Sequence, residues 1–178
     1  DRAFANVDSI DPEILEKARY QPEFRAPVWD YFDNRVHEQS IEVGRAMARK
    51  YKPWLDKIEA RYGVDRNIVM AIWGMESNFG GNRGKMQIIP SLATLAYDGR
   101  RGEMFQNQLI AALKILQNGD VAPAGMTGSW AGAMGHTQFI PTSYLLYAVD
   151  FTGDGRRDIW SNDPTDSLAS TAAYLQRS

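Results

Sequence analysis

Apolar residues return at helical spacing in one segment after another of this chain, and prolines, glycines and capping acids cut those segments into helix-sized pieces. Asp11-Pro12 makes an N-cap and first-turn pair for a short helix to about Ala18. Pro27 opens a longer periodic stretch through Val28, Tyr31, Phe32, Val36, Ile41 and Met47, interrupted at Pro53. Trp54, Leu55, Ile58 and Tyr62 then share a face ahead of Gly63, a left-handed stop. Asp65 caps the next helix, PSLATLAY carries a short one, Glu103–Asn118 is the cleanest amphipathic stretch, and a last helix starts near Asp166. Strand alternation is nearly missing; at most MQII or AVDFT forms a small ribbon. The expectation is a mainly α fold with little or no β: an N-terminal helical segment, residues 1–63, packed on a core of residues 64–178.

A chain of 178 residues can bury a real core, and a hydrophobic fraction of 44% is ordinary for one that does. A net charge of −2, with cations spread along the chain, argues against a nucleic-acid partner. No apolar run approaches the roughly 18–20 residues of a membrane span. With no cysteine, disulfides, thiolate metal sites and cysteine nucleophiles are excluded together. The chain starts at Asp1 and its last helix runs into Ser178 without a capping glycine, so we expect a processed N-terminus and a chain cut short.

Within AIWGMESNFGG, residues 71–81, one carboxylate sits among apolar neighbours. Ile68, Ile72 and Glu76 fall at i, i+4 and i+8, and Val69, Trp73 and Glu76 at i, i+4 and i+7, which places Glu76 on the apolar face near a helix C-terminus. Burial and the helix dipole both raise the pKa of such a group, so the expectation is an acid kept protonated. A buried carboxylate satisfied by arginine or backbone N–H groups is the plain alternative. Two glycine-rich loops, GMTGSWAGAMGHTQFIP and DFTGDGRRDIW, are of the kind that line sites. The second reads in part as a calcium loop: Asp150, Thr152, Asp154, Gly155 and Asp158 fall at positions 1, 3, 5, 6 and 9, but Ser161 stands where a closing Glu belongs. His37 and His136 have no metal-ligand spacing and read as bystanders.

Four stretches in order, AIWGMESNFGG, SLATLAYDGRR, GSWAGAMGHTQFIPTSY and AVDFTGDGRRDIW, resemble the MltB-type lytic murein transglycosylases, glycoside hydrolase family 103. QPEFRAPVWDYFDNRV upstream is similar to that family as well. The resemblance implies a lysozyme-like helical catalytic domain with Glu76 as its single acid and base. It implies sugar contacts at Ser129 and Gln138, cleft-lining roles for Phe139, Arg100 and Arg101, a tyrosine reaching toward the acid at Tyr174, and a further cleft aromatic at Tyr31. It also implies a calcium site closed by Asp166, giving the ligand set Asp150, Thr152, Asp154, Arg156 and Asp166, as a structural ion where no cofactor is required. The expected substrate is the peptidoglycan glycan strand, cleaved without water to leave 1,6-anhydro ends. The expected setting is the periplasm or cell envelope, with anchoring to the outer membrane through a segment outside this chain. A monomer working beside cell-wall synthesis or remodelling proteins is the expected assembly. Two readings stay open beside this one: a hydrolytic muramidase using Asp98, Glu103 or Asp150 as second carboxylate, and a peptidoglycan-binding module without turnover.

Overall fold

Capping chemistry sets the boundaries of most elements. The computed structural model describes residues 2–5, 7–20 and 36–178. Helix α1 (Pro12–Arg19) is capped by the Asp11 carboxylate, which accepts the Glu13 N–H, while the Asp11 N–H reaches Thr94 Oγ1 at 3.2 Å. Helix α2 (Glu38–Lys50) starts at His37, whose Nδ1 accepts the Ser40 N–H in a reciprocal capping box. The long helix expected from Pro27 is thus helical from Glu38, and its earlier part, Tyr31 included, lies outside the described residues. Helix α3 (Lys52–Tyr62) stops at left-handed Gly63, and α4 (Arg66–Ser77) is capped by Asp65.

Strand β1 (Met86–Gln87) leads directly into α5 (Ile88–Asp98), and α6 (Gly102–Asn118) follows after a short turn. Strand β2 (Thr127–Gly128) pairs antiparallel with β1, Met86 opposite Gly128 and Gln87 opposite Thr127. The ribbon expected at MQII is therefore present at its first two residues, and AVDFT is not a strand. Helices α7 (Pro141–Tyr147) and α8 (Thr165–Arg177) complete the order.

Two apolar clusters hold these elements. Ile14 of α1 joins Ile88, Leu92 and Leu95 of α5, Ile115 of α6 and Tyr144 of α7 in the first, with Met126, Met134 and Ile159 from the loops. Leu55 and Ile58 of α3, Val69 and Trp73 of α4, and Leu168 and Ala172 of α8 form the second. Each fully buried aliphatic side chain contributes about 1.5–3 kcal/mol. Residues Thr165 to Ala173 of α8 are all buried, and most are small, so neighbouring backbones can close on this helix from several sides. One neighbour is the glycine loop, where Thr137 Oγ1 meets Ser167 Oγ at 3.0 Å. The segment 1–63 is divided between the clusters, α1 on the first and α3 on the second.

Candidate active site

Glu76 stands in the last turn of α4 and is exposed, not buried. The helical wheel explains the difference. At about 100° per residue, Val69, Trp73, Ser77 and Met70 span an arc of about 100°, and Glu76 falls about 20° outside it. It lies on the side of Ile72, half-buried, and Ile68, exposed. The row Ile68–Ile72–Glu76 thus runs along the rim of the apolar face, and the burial on which protonation of Glu76 was expected is absent.

Of this row only Glu76 reaches the groove of about 700 Å³ between α2 and α4, which is lined by Ile41, Gly44 and Arg45 on one side and Met75, Glu76 and Phe79 on the other. Glu76 is the one carboxylate among the described residues that line it. After Ser77 the chain takes three left-handed residues in succession, Asn78 (φ 49°), Phe79 (φ 54°) and Gly80 (φ 83°). A phenylalanine there is unusual, and packing holds it. Its ring tip enters the α2–α4 crossing, where a Cβ on Gly44 would lie 2.9 Å and one on Gly74 2.7 Å from Cζ. Nothing in the sequence singled out Phe79; the signal was two glycines inside helical runs, Gly44 and Gly74.

The loop after β2 is folded on itself by the bridges Gly128–Met134 and Met134–Phe139. Ser129 Oγ accepts the N–H groups of Ala131 and Ala133 at 3.3 and 3.0 Å, so its proton is what remains to donate. Gln138, at φ 54°, donates through Nε2 to Gly135 O (2.8 Å) and Arg83 O (3.2 Å). Phe139, expected in the cleft, is buried in the first cluster at 8% exposure and meets Tyr174 edge-on at 6.2 Å. Tyr174 is 38% exposed and also abuts Tyr147 at 5.0 Å. Phe139 and Tyr174 are thereby brought together, while the Gln138 side chain is turned to Gly135 and Arg83. Arg100 and Arg101 are exposed at the α5–α6 junction, Arg100 within 3.8 Å of Asp98; neither lines the groove beside Glu76.

His136, read as a bystander, is 2% exposed and deeply engaged. The Trp73 indole N–H donates to its Nδ1 at 3.1 Å, and Ser77 Oγ donates to its carbonyl at 2.5 Å. Burial, aided by the nearby Arg83 guanidinium, holds the imidazole below its ordinary pKa against the opposing effects of the Ser161 carbonyl, Asp158 and Asp163.

In the second loop, carboxylate oxygens of Asp150, Asp154 and Asp166 lie within 4.8 Å of one another. Asp166, 3% exposed, accepts N–H groups of Phe151 and Thr152 on Oδ1 and of Asp158 on Oδ2. Burial nonetheless raises its pKa, and the Asp150 charge adds to the rise. Asp150 is held below its usual value: desolvation opposes this, but the N–H groups of Gly155, Gly153 and Asp154 outweigh it. Thr152 Oγ1 is 3.4 Å from Asp150 Oδ1, and the Arg156 N–H donates to Asp154. Asp158, read at the ninth loop position, turns away and caps Trp160 and Ser161. The acid closing this loop is Asp166.

A mainly helical, lysozyme-like domain with one carboxylate among the described residues of an open groove is the class these features define. The chain belongs to the transglycosylase SLT domain family, which it matches over residues 1–178. It is 37% identical over 142 residues to the membrane-bound lytic murein transglycosylase B of Escherichia coli K12, covering 79% of this chain and 39% of that protein. SltB3 of Pseudomonas aeruginosa, solved in complex with NAG-NAM-pentapeptide, is similar at 55% identity and a TM-score of 0.95, over 99% of this chain and 47% of that one. Slt35 of E. coli, solved in complex with calcium, is similar at 33% identity and a TM-score of 0.86, over 95% of this chain and 54% of that one. The chain thus spans about half the length, or less, of these relatives. Among the described residues no helix is long and apolar enough to cross a membrane.

Proposed function

We propose that this chain carries the catalytic acid of a peptidoglycan lytic transglycosylase, a glycosidic-bond lyase of the cell envelope. The observation that carries this reading is Glu76 as the one carboxylate among the described groove-lining residues. A hydrolase with two carboxylates needs a second acid across the cleft, and Asp98, Glu103 and Asp150 do not line this groove. Glu76 protonates the oxygen linking N-acetylmuramic acid to N-acetylglucosamine as the C1–O bond breaks, and the muramyl acetamido oxygen stabilises the positive centre at C1. The Glu76 carboxylate then takes the proton of the C6 hydroxyl while O6 bonds to C1. Acid becomes base, the proton is returned, and no water is consumed.

Because Glu76 is exposed without substrate, a glycan seated over it supplies the dehydration that favours the protonated acid. The Ser129 hydroxyl, with both acceptor positions taken by backbone N–H groups, orients the acetamido carbonyl. Gln138 holds a sugar hydroxyl or Glu76 itself. Phe139, buried in the first cluster, supports Tyr174 from behind, and Tyr174 would approach the glycan from outside the α2–α4 groove, as would Arg100 and Arg101.

The gathered carboxylates of Asp150, Asp154 and Asp166 suit a calcium ion. Its charge would offset the burial, and the lesser Asp150 repulsion, that raise Asp166, with Thr152 and Arg156 completing the set. That ion is structural, and the bond cleavage does not use it.

Digestion of purified peptidoglycan by this chain and by Glu76→Gln, with products weighed by mass spectrometry, tests the reading. Muropeptides one water lighter than hydrolytic ones, made by the wild type alone, are expected. Reducing-end products would make the protein a muramidase. Sedimentation with cell-wall sacculi, unaffected by Glu76→Gln and without turnover, would make it a binding module.

A further inference from the structure

We propose that His136 is a positioning residue of this site: as a neutral imidazole protonated at Nε2, it locks the helix carrying Glu76 to the loop carrying Ser129 and Gln138. The inference rests on Glu76 being the acid, and the joint itself is read from hydrogen bonds. Trp73, three residues before Glu76 on α4, has an indole N–H that can only donate. Its 3.1 Å bond to Nδ1 therefore requires that nitrogen to be bare. The ring proton is on Nε2, which donates to Ser161 O at 2.8 Å. Arg83 NH1, also a donor only, lies 3.0 Å from Nε2 but donates to the same carbonyl at 2.9 Å, so in this tautomer its approach to Nε2 is a contact and not a hydrogen bond.

The backbone of His136 closes the joint from the other side. Its carbonyl accepts Ser77 Oγ–H at 2.5 Å, directly beside Glu76, and its N–H donates to Ile159 O at 3.2 Å. Ser77 Oγ in turn accepts the Gly80 N–H at 2.9 Å. The fit leaves no slack: a Cβ on Gly80 would lie 2.4 Å from Nδ1. The imidazole thus joins α4, the turn after it, the glycine loop and the segment through Ser161. Gln138 follows two residues later and is pinned to the same turn through Arg83 O.

A second proton has no place on this ring. It would go on Nδ1, facing the indole N–H, with the Arg83 cation beside Nε2. Asp158 and Asp163 favour the charged form and burial disfavours it; burial prevails. The acid and its loop therefore keep one spacing over the neutral range, as a reaction sensitive to misplacement requires.

His136→Phe fills the ring volume without an acceptor, and His136→Gln restores both an acceptor and a donor. Nitrogen-15 NMR of the wild type should show His136 protonated at Nε2 alone and the Trp73 indole proton shifted by its bond to Nδ1. Against peptidoglycan, His136→Phe should lose at least tenfold in kcat with KM within about twofold, and His136→Gln should recover most of that loss. Wild-type kcat in a folded His136→Phe overturns the proposal, as does a His136→Gln that folds normally without recovery. An Nδ1–H tautomer overturns it also, and failure of both variants to fold reduces His136 to a core residue. If Glu76→Gln turns over as fast as wild type, the reading of Glu76 has failed, which the tautomer measurement distinguishes from failure of the joint.

Discussion

Replacing Gly135 by alanine should be far more damaging than the single methyl suggests. Gly135 has φ +75° and directly precedes His136, and a Cβ there would lie 2.4 Å from the Ile159 carbonyl oxygen and 2.9 Å from Ile159 Cβ. The left-handed backbone alone costs a non-glycine residue about 1–2 kcal/mol. The close approach adds to this, because both partners are backbone or β-branched and neither can swing aside. Opening the contact by roughly 1 Å, to ordinary van der Waals distance, carries the 3.2 Å bond from His136 N–H to Ile159 O out of range. Losing that bond and leaving its ends buried costs about 1–3 kcal/mol. The total is about 3–4 kcal/mol, and at about 3 °C per kcal/mol for a domain of this size the melting temperature should fall by about 10 °C. Gly119→Ala is the control: φ is +81° there, but nothing lies within 4 Å of the new Cβ. It should lose about 3–6 °C from the backbone term alone. Circular dichroism melts of the two variants give the comparison directly. Equal melting temperatures within about 2 °C would refute the claim that the glycine loop and the Ile159 segment are in close contact here.

Asp120→Asn should cost about 2–4 kcal/mol in urea unfolding, because this carboxylate accepts the Arg157 backbone N–H, Nε and NH2, the last at 2.6 Å, with 7% of its side chain exposed. The imidazole of His136 binds a proton less readily in the folded protein than in the unfolded chain. Its contribution is therefore fully present above the unfolded value of about 6.5 and is lost as pH falls through the lower folded pKa. The melting temperature of the wild type should drop over that window more steeply than that of His136→Gln. Calcium at a hundredfold excess over its dissociation constant should add about 2.7 kcal/mol, and Asp166→Asn should abolish the effect; a calorimetric titration without heat of binding would remove the ion from the account. In the proposed reaction, Ser129→Ala and Gln138→Ala should each lower kcat by about tenfold, and full activity in either would cancel that residue's role.

The helices were legible because their signals are local. Asp11-Pro12, Asp65 and Gly63 act within one turn of where they stand, and the structure uses each as a cap or stop. The sides the helices present were less legible. A 3.6-residue period shows that α4 has an apolar arc, but the partners decide where that arc is centred. Here α3 and α8 cover Val69, Trp73 and Met70, which leaves Glu76 just outside the arc and bordering the groove between α2 and α4. Long-range bonds were illegible altogether. His136 looked idle because its partners are 63, 53 and 25 residues away in sequence. Asp166 lies sixteen residues beyond Asp150, farther than a twelve-residue loop template reaches, whereas Asp158 fits the template and caps another turn.

The exposure of Glu76 makes physical sense once its neighbours are considered with it. An acid sunk in the apolar arc would be desolvated but out of reach of a polymer, and a fully mobile surface acid would be reachable but unplaced. On the rim of α4, Glu76 is bracketed by Trp73, 1% exposed, and Ser77, 2% exposed. Both are bonded into His136, and Phe79 is wedged between α2 and α4 just beyond. The backbone under the carboxylate is therefore fixed by buried contacts on both sides while the carboxylate itself faces the groove. Under the proposed function the substrate completes the site: the glycan removes water from Glu76 only when the bond to be cleaved is present, so the protonated acid is favoured where its proton is to be delivered.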